Sequence, residues 1–207
     1  LKKCLLLKIQ FSKILFNFII STVFALNLKR LFFFFIVLIC FIFKTNGQNV
    51  SLYNQFNGRY DFTFIGNTLN VQPNGANDPC LLLLSSDATL NLSPNDIIES
   101  AYLYWAGSGT GDFDVKLNGI DIASQRSFSA IQNLNGNPFF SAFFDVTTML
   151  QTTGNGVYTF SDLDVTPFFN PFQYCDNGTN FAGWAIVIVY RNDSLPLNQI
   201  NIYDGLE

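Results

Sequence analysis

Short runs of alternating apolar and polar residues fill the chain from Asn49 onward, and the clearest lies near its middle. Phe113, Val115 and Leu117 alternate with Asp112, Asp114 and Lys116, the period of a strand with one face in water. Asn118-Gly119 follows, and both residues tolerate positive φ, so a two-residue hairpin is predicted there. Such a loop pairs Leu117 with Ile120 and Val115 with Ile122 on the apolar face and sets Lys116 against Asp121 on the wet one. Just upstream, residues 101–106 (AYLYWA) are apolar on both faces, as a central strand covered on both sides would be.

The same texture recurs on either side. Tyr60, Phe62 and Phe64 alternate with Asp61 and Thr63 and stop at Gly66-Asn67; residues 72–79 are rich in turn formers; Ala88, Leu90 and Leu92 alternate up to the break at residues 93–96. Residues 127–138 read as a polar loop, and 139–144 as a strand. Residues 145–154 read as a strand end, a capping Thr147, one or two helical turns and a glycine stop. Strands are then expected over 157–163, over 183–190 (fully apolar and β-branched) and over 199–203. Many short strands with almost no helix predict an all-β domain, an antiparallel β-sandwich or jelly roll spanning 49–207. About 160 residues suffice for a substantial core.

The N-terminal part differs. Lys29-Arg30 precedes a thirteen-residue apolar run over 31–43 (LFFFFIVLICFIF) and a small polar exit at 44–48. That order matches a signal peptide over 29–48, and the run is short of the roughly 20 residues a membrane span needs. Residues 1–28 form an upstream hydrophobic segment interrupted by Lys8, Gln10, Asn17 and Ser21, read as an over-extended reading frame or a truncated record, with an unusually long leader of two apolar segments as the alternative. The hydrophobic leader is excluded from the fold and is the only expected link to a membrane.

Charge divides at the same point. Residues 1–47 carry seven basic residues and no acid, whereas 48–207 carry four basic against fifteen acidic residues, a balance of −11. An acidic body argues against nucleic-acid binding. The chain has no histidine, which removes Ser-His-Asp and Cys-His catalysis and His-ligated zinc. Cys80 and Cys175 are the cysteines beyond the leader, and in an oxidising compartment they are expected to form one disulfide closing a 95-residue loop.

Asp112 with Asp114, and Asp162 with Asp164, place carboxylates two apart, hard oxygen ligands that suit calcium as well as a solvated strand face. Trp105, Tyr102, Tyr104, Trp184 and Tyr190 could form a platform for sugar rings, but their apolar setting favours core packing. The glycines of 107–111 (GSGTG) lack a following helix and Lys-Ser/Thr, and read as a loop between strands. Asn49, Asn91, Asn177 and Asn192 open Asn-glycosylation sequons.

Three segments in order, 101–107 (AYLYWAG), 183–190 (GWAIVIVY) and 194–205 (SLPLNQINIYDG), resemble the N-terminal β domain of very large surface proteins of gliding bacteria with type IX secretion. A shorter pair, 144–150 (FDVTTML) and 154–160 (GNGVYTF), is similar to part of jelly-roll sugar-binding modules, and residues 193–195 look like the O-glycosylation triplet of such bacteria. The first resemblance implies a secreted, surface-displayed structural or adhesion domain without catalytic residues. It also implies a sorting domain not present in these 207 residues, so further domains are expected downstream. The alternative is a carbohydrate-binding module, calcium-dependent or not, of an extracellular enzyme. A glycan or protein ligand on an extracellular surface is the expected partner, and no cofactor other than calcium is expected.

Overall fold

The computed structural model describes residues 50–73, 80–132, 136–168, 174–176 and 178–206, so the segments expected to be a leader and signal peptide lie outside the described residues. In chain order the elements are β1 (Ser51–Gly58), β2 (Tyr60–Thr68), β3 (Ser85–Leu90), β4 (Ile97–Ser108), β5 (Asp114–Leu117), β6 (Ile120–Ala123), β7 (Arg126–Ile131) and β8 (Pro138–Asp145). A short helix α1 (Thr147–Thr153), β9 (Gly156–Ser161), a 3-10 turn at Thr166–Phe168, β10 (Ala182–Arg191) and β11 (Asn198–Asp204) follow. All named strand pairs are antiparallel: a five-stranded sheet ordered β2-β10-β4-β8-β7, a four-stranded sheet ordered β3-β9-β5-β6, and a two-stranded ribbon of β1 and β11. The expected all-β sandwich is the fold observed.

The central hairpin has the register its alternation dictates: Val115 faces Ile122, Lys116 faces Asp121 and Leu117 faces Ile120. Asn118 and Gly119 turn with φ of 51° and 76°, the left-handed pair a type I′ turn requires. The core lies between the two larger sheets. Leu103 and Trp105 of β4, Phe140 of β8, and Trp184 and Ile186 of β10 meet Leu90, Leu117, Tyr158 and Phe160 from the facing sheet. Phe160 stacks on Trp184 at 5.4 Å and lies 6.4 Å from Trp105, so the three rings bridge the layers. Both indoles are buried, at 1% and 4% exposure, and both N–H groups are satisfied. Trp105 Nε1 donates to the Asp112 carbonyl (2.9 Å) and Trp184 Nε1 to Ser86 Oγ of the opposite sheet (2.9 Å).

The ribbon forms a third layer, which explains why β4 is apolar on both faces. The ladder of β2 with β10 ends at Arg191–Tyr60 and resumes at Asn198–Gly58, with Gly58 at φ 151° supplying the bend. The chain thereby folds β1 and β11 back over the outer face of the five-stranded sheet, where Tyr53 meets Tyr102 edge-on at 5.3 Å and Phe143 at 5.0 Å. Tyr102, on the outer face of β4, is consequently as buried as the inner core.

Two local expectations differ from the structure, and a third point, the facing of β2, could not be read from the sequence. Arg126–Ile131 is an edge strand rather than a polar loop, because pairing with β8 supplies the order its Ser-rich sequence does not suggest. In β2 the inward apolar residue is Ile65, whereas Phe62 and Phe64 point outward at 52% and 70% exposure. The alternation there predicts a strand, but nothing local marks which face an edge strand buries. Thr147 does not cap α1: the N-cap is Val146, without a side-chain bond, while Thr147 Oγ1 accepts from the Ala101 N–H (2.9 Å) and joins the helix to β4.

Close backbone approach at one residue gives a direct test of the β2–β10 pairing. A Cβ built on Gly66 would sit 2.3 Å from the Trp184 carbonyl oxygen and 2.7 Å from the Ala185 Cα. Both are backbone atoms that cannot swing away, so Gly66→Ala is expected to destabilise the fold by about 2 kcal/mol, measured by urea unfolding.

Candidate functional site

Each sequence-derived site residue has a definite place. Cys80 and Cys175 form a disulfide with Cα atoms 5.6 Å apart, tying the segment before β3 to the one before β10. Nearby bonds lace the same end: Asn70 Nδ2 donates to the Asn180 carbonyl (3.0 Å) and Ser108 Oγ to the Thr179 carbonyl (2.9 Å).

The four aspartates divide into two arrangements. Asp112 Oδ2 accepts from the Asp164 N–H (2.7 Å) and its Oδ1 from the Asp114 N–H (3.3 Å), which fastens the loop before β5 to the one after β9. Asp164 Oδ1 in turn accepts from the Thr166 N–H at 2.9 Å. Asp162 instead faces Lys116, with Nζ to Oδ2 at 2.6 Å, and Asp121 lies on the other side of the ammonium at 3.8 Å. The Lys116 bond holds the Asp162 carboxyl below the ordinary carboxylate range and raises the Lys116 ammonium. Among the described residues no three acidic or cysteine side chains converge as a metal site would require. The carboxylates of Asp112 and Asp164 thus accept backbone N–H groups and that of Asp162 pairs with Lys116, whereas Asp114 joins the arrangement through its own N–H.

The aromatic residues weighed as a sugar platform are spent on packing: Trp105, Tyr102 and Trp184 are buried, and Tyr104 and Tyr190 are partly covered. Tyr104 belongs to a polar cluster that sequence reading missed. Its hydroxyl donates to Asp204 Oδ2 (3.2 Å), and Arg126 pairs with the same carboxylate at 2.6 Å. The Arg126 guanidinium lies against both the Tyr53 and Phe143 rings, 3.8 and 3.9 Å from their centroids, in the angle these two edge-to-face rings make. Asp204 comes from β11, Tyr53 from β1, and the rest from the sheet beneath, so this cluster clamps the ribbon. Asn54 Nδ2 adds a bond to the Tyr102 hydroxyl at 2.8 Å.

Burial first, and Asp204 second, push the Tyr104 phenol well above its ordinary value of 10; burial also raises Tyr53, Tyr158, Tyr174 and Tyr190. A phenol whose folded pKa lies above its unfolded value stabilises the fold fully below about pH 10 and loses that contribution as pH rises toward the folded pKa. The fold is thus expected to weaken above pH 10, seen as a fall in urea midpoint between pH 8 and pH 11.5. Tyrosinate absorbance should appear in step with unfolding.

With the inner face clamped, the ribbon turns a different set of side chains to solvent. Gln55 and Asn57 of β1 face Asn201 and Gln199 of β11, and Leu52 faces Tyr203 beyond them. Gln55 Nε2 donates to Asn201 Oδ1 (2.7 Å), Gln199 Nε2 to the same oxygen (3.3 Å), and Asn57 Nδ2 to Gln55 Oε1 (3.3 Å). The available sequence signal is the polar half of the alternation around Ile200 and Ile202, within the strand expected over 199–203. Elsewhere the four basic side chains of the domain are engaged: Arg59 with the Leu195 carbonyl, Lys116 with Asp162, Arg126 with Asp204, and Arg191 with Glu99 at 3.5 Å. Arg59 and Arg191 stay at the surface, where acidic, amide-bearing and apolar side chains surround them. No family model, curated protein or solved structure matches this chain.

Proposed function

We propose that residues 49–207 form a non-enzymatic contact domain of an exported protein displayed at the cell surface. The observation that carries this reading is the division of side chains in the sandwich. Tryptophans and β-branched residues fill the interior, the carboxylates of Asp112 and Asp164 fasten loops, and that of Asp162 pairs with Lys116. A third layer is clamped so that its outer face is presented to solvent. The disulfide supports export, since such bonds persist in oxidising compartments. So does the leader, whose basic flank and apolar run have the proportions of a signal peptide.

On this reading the domain leaves the cytoplasm, gains its disulfide outside, and acts through its surface alongside further domains, as in the surface proteins of gliding bacteria that three of its segments resemble. Labelling intact cells of the source organism with antibody against the full chain tests it. Staining without permeabilisation, together with cysteines that resist alkylation in the native chain, is the expected result. Staining only after permeabilisation, with both cysteines alkylated, would overturn it.

A further inference from the structure

We infer that the outward face of the β1–β11 ribbon is a binding strip for a neutral glycan, with Gln55, Asn57, Gln199 and Asn201 as its hydrogen-bonding groups and Tyr203 as its stacking ring. The inference rests on the contact-domain reading and deepens it by naming the ligand class. Three successive outward pairs make the strip, Leu52–Tyr203, Gln55–Asn201 and Asn57–Gln199. Alternate residues of a strand lie roughly 7 Å apart, so the row extends about 14 Å, room for a short oligosaccharide.

The chemistry selects the ligand. A carboxamide offers a donor and an acceptor side by side without charge, matching hydroxyls that both give and accept. The mutual bonds of the four amides fix their orientation, and among the described residues they leave the Asn201 Nδ2, Asn57 Oδ1 and Gln199 Oε1 atoms directed to solvent without a protein partner. Tyr203, 58% exposed at one end of the row, presents a ring to the C–H face of a pyranose and a hydroxyl at its rim. The row has no carboxylate and no cation. It is a neutral lane on a body whose balance is −11, which disfavours an anionic polymer and also a second acidic copy.

The strip is also preorganised. Asp204 at one end of β11 is held by Arg126 and Tyr104, Asn54 is bonded to Tyr102, and Asn198 Nδ2 donates to the Tyr60 carbonyl (3.0 Å) at the other end. A ligand therefore meets side chains whose backbone is already fixed, which lowers the ordering cost of binding.

Isothermal titration of the full chain with cello-, xylo-, laminari- and mannohexaose tests the proposal. At least one hexaose is expected to bind with submillimolar affinity, unchanged by EDTA. Tyr203→Ala and Asn201→Ala should each weaken it tenfold or more while leaving the thermal midpoint in place. Gln55→Glu, which keeps the side-chain size and adds a charge, provides the same test should Asn201→Ala disturb the ribbon. No binding by any hexaose, binding indifferent to these substitutions, or binding abolished by EDTA would overturn the inference. So would concentration-dependent dimerisation lost in the same variants, since stacked amide ladders would then belong to a second copy. These titrations use purified protein, so their failure leaves the surface-labelling result standing, and the reverse also holds.

Discussion

Replacing both Cys80 and Cys175 by serine is expected to cost about 4–5 kcal/mol of stability on the chain-entropy account of a cross-link closing 95 residues. The two cysteines sit at opposite ends of the chain's middle, so the bond restricts a large part of the unfolded ensemble. In the folded state it joins the approach to β3 with the approach to β10, one strand from each main sheet. Urea unfolding of the wild-type chain with and without reductant, beside the double variant, reads the effect. Reduction should bring the wild-type midpoint down to that of the variant. A difference under about 1 kcal/mol would mean that the cross-link constrains little that the sandwich does not already hold.

Arg126→Ala is expected to cost about 3 kcal/mol, toward the lower end for breaking a buried ion pair because the arginine side chain is itself about one-third exposed. Two losses combine. Asp204, almost fully buried, keeps only the Tyr104 hydroxyl, and the Tyr53 and Phe143 rings lose the cation that lies against both. Lysine at 126 should recover only part of the stability, since it supplies charge without the flat fork. Arg126→Met with Asp204→Asn should recover more than half, because it leaves no unpaired charge in the site. The loss should also be local at first: hydrogen exchange should quicken in β1 and β11 before it does in β4 or β10. An Arg126→Ala variant within about 0.5 kcal/mol of wild type would show that the ribbon is held by its ladder contacts alone.

How much of this was legible in advance depends on the range of the interaction concerned. The turn and register of the β5–β6 hairpin were readable because Asn118-Gly119 and the alternation on either side constrain the same few residues, although Ile120, expected on the apolar face, is 54% exposed beside the turn. The doubly covered β4 was readable as such, but not what covered it. The covering ribbon pairs residues about 150 positions apart, and no local pattern selects such a partner. The alternation of Phe62 and Phe64 with their polar neighbours did not say which face is buried, since an edge strand's orientation is decided by the sheet it joins. Cys80 and Cys175 could be paired by elimination. The four aspartates could not be resolved, because carboxylates two apart look the same whether they bind a cation, solvate a face or accept backbone N–H groups. The Arg126–Asp204 clamp left no signal at all: neither residue stands in a motif, and only the fold brings a residue of β7 to one of β11.

Hydroxyl-radical footprinting of the native full chain, read by mass spectrometry, tests the layered arrangement most directly. Tyr203 and Phe64, both more than half exposed, should be oxidised quickly, while Trp105, Trp184, Tyr158 and Phe160 should stay protected until urea unfolds the domain. Oxidation of both tryptophans at the rate of Tyr203 under native conditions would contradict it, since no sandwich closed by a third layer could leave those indoles open to solvent.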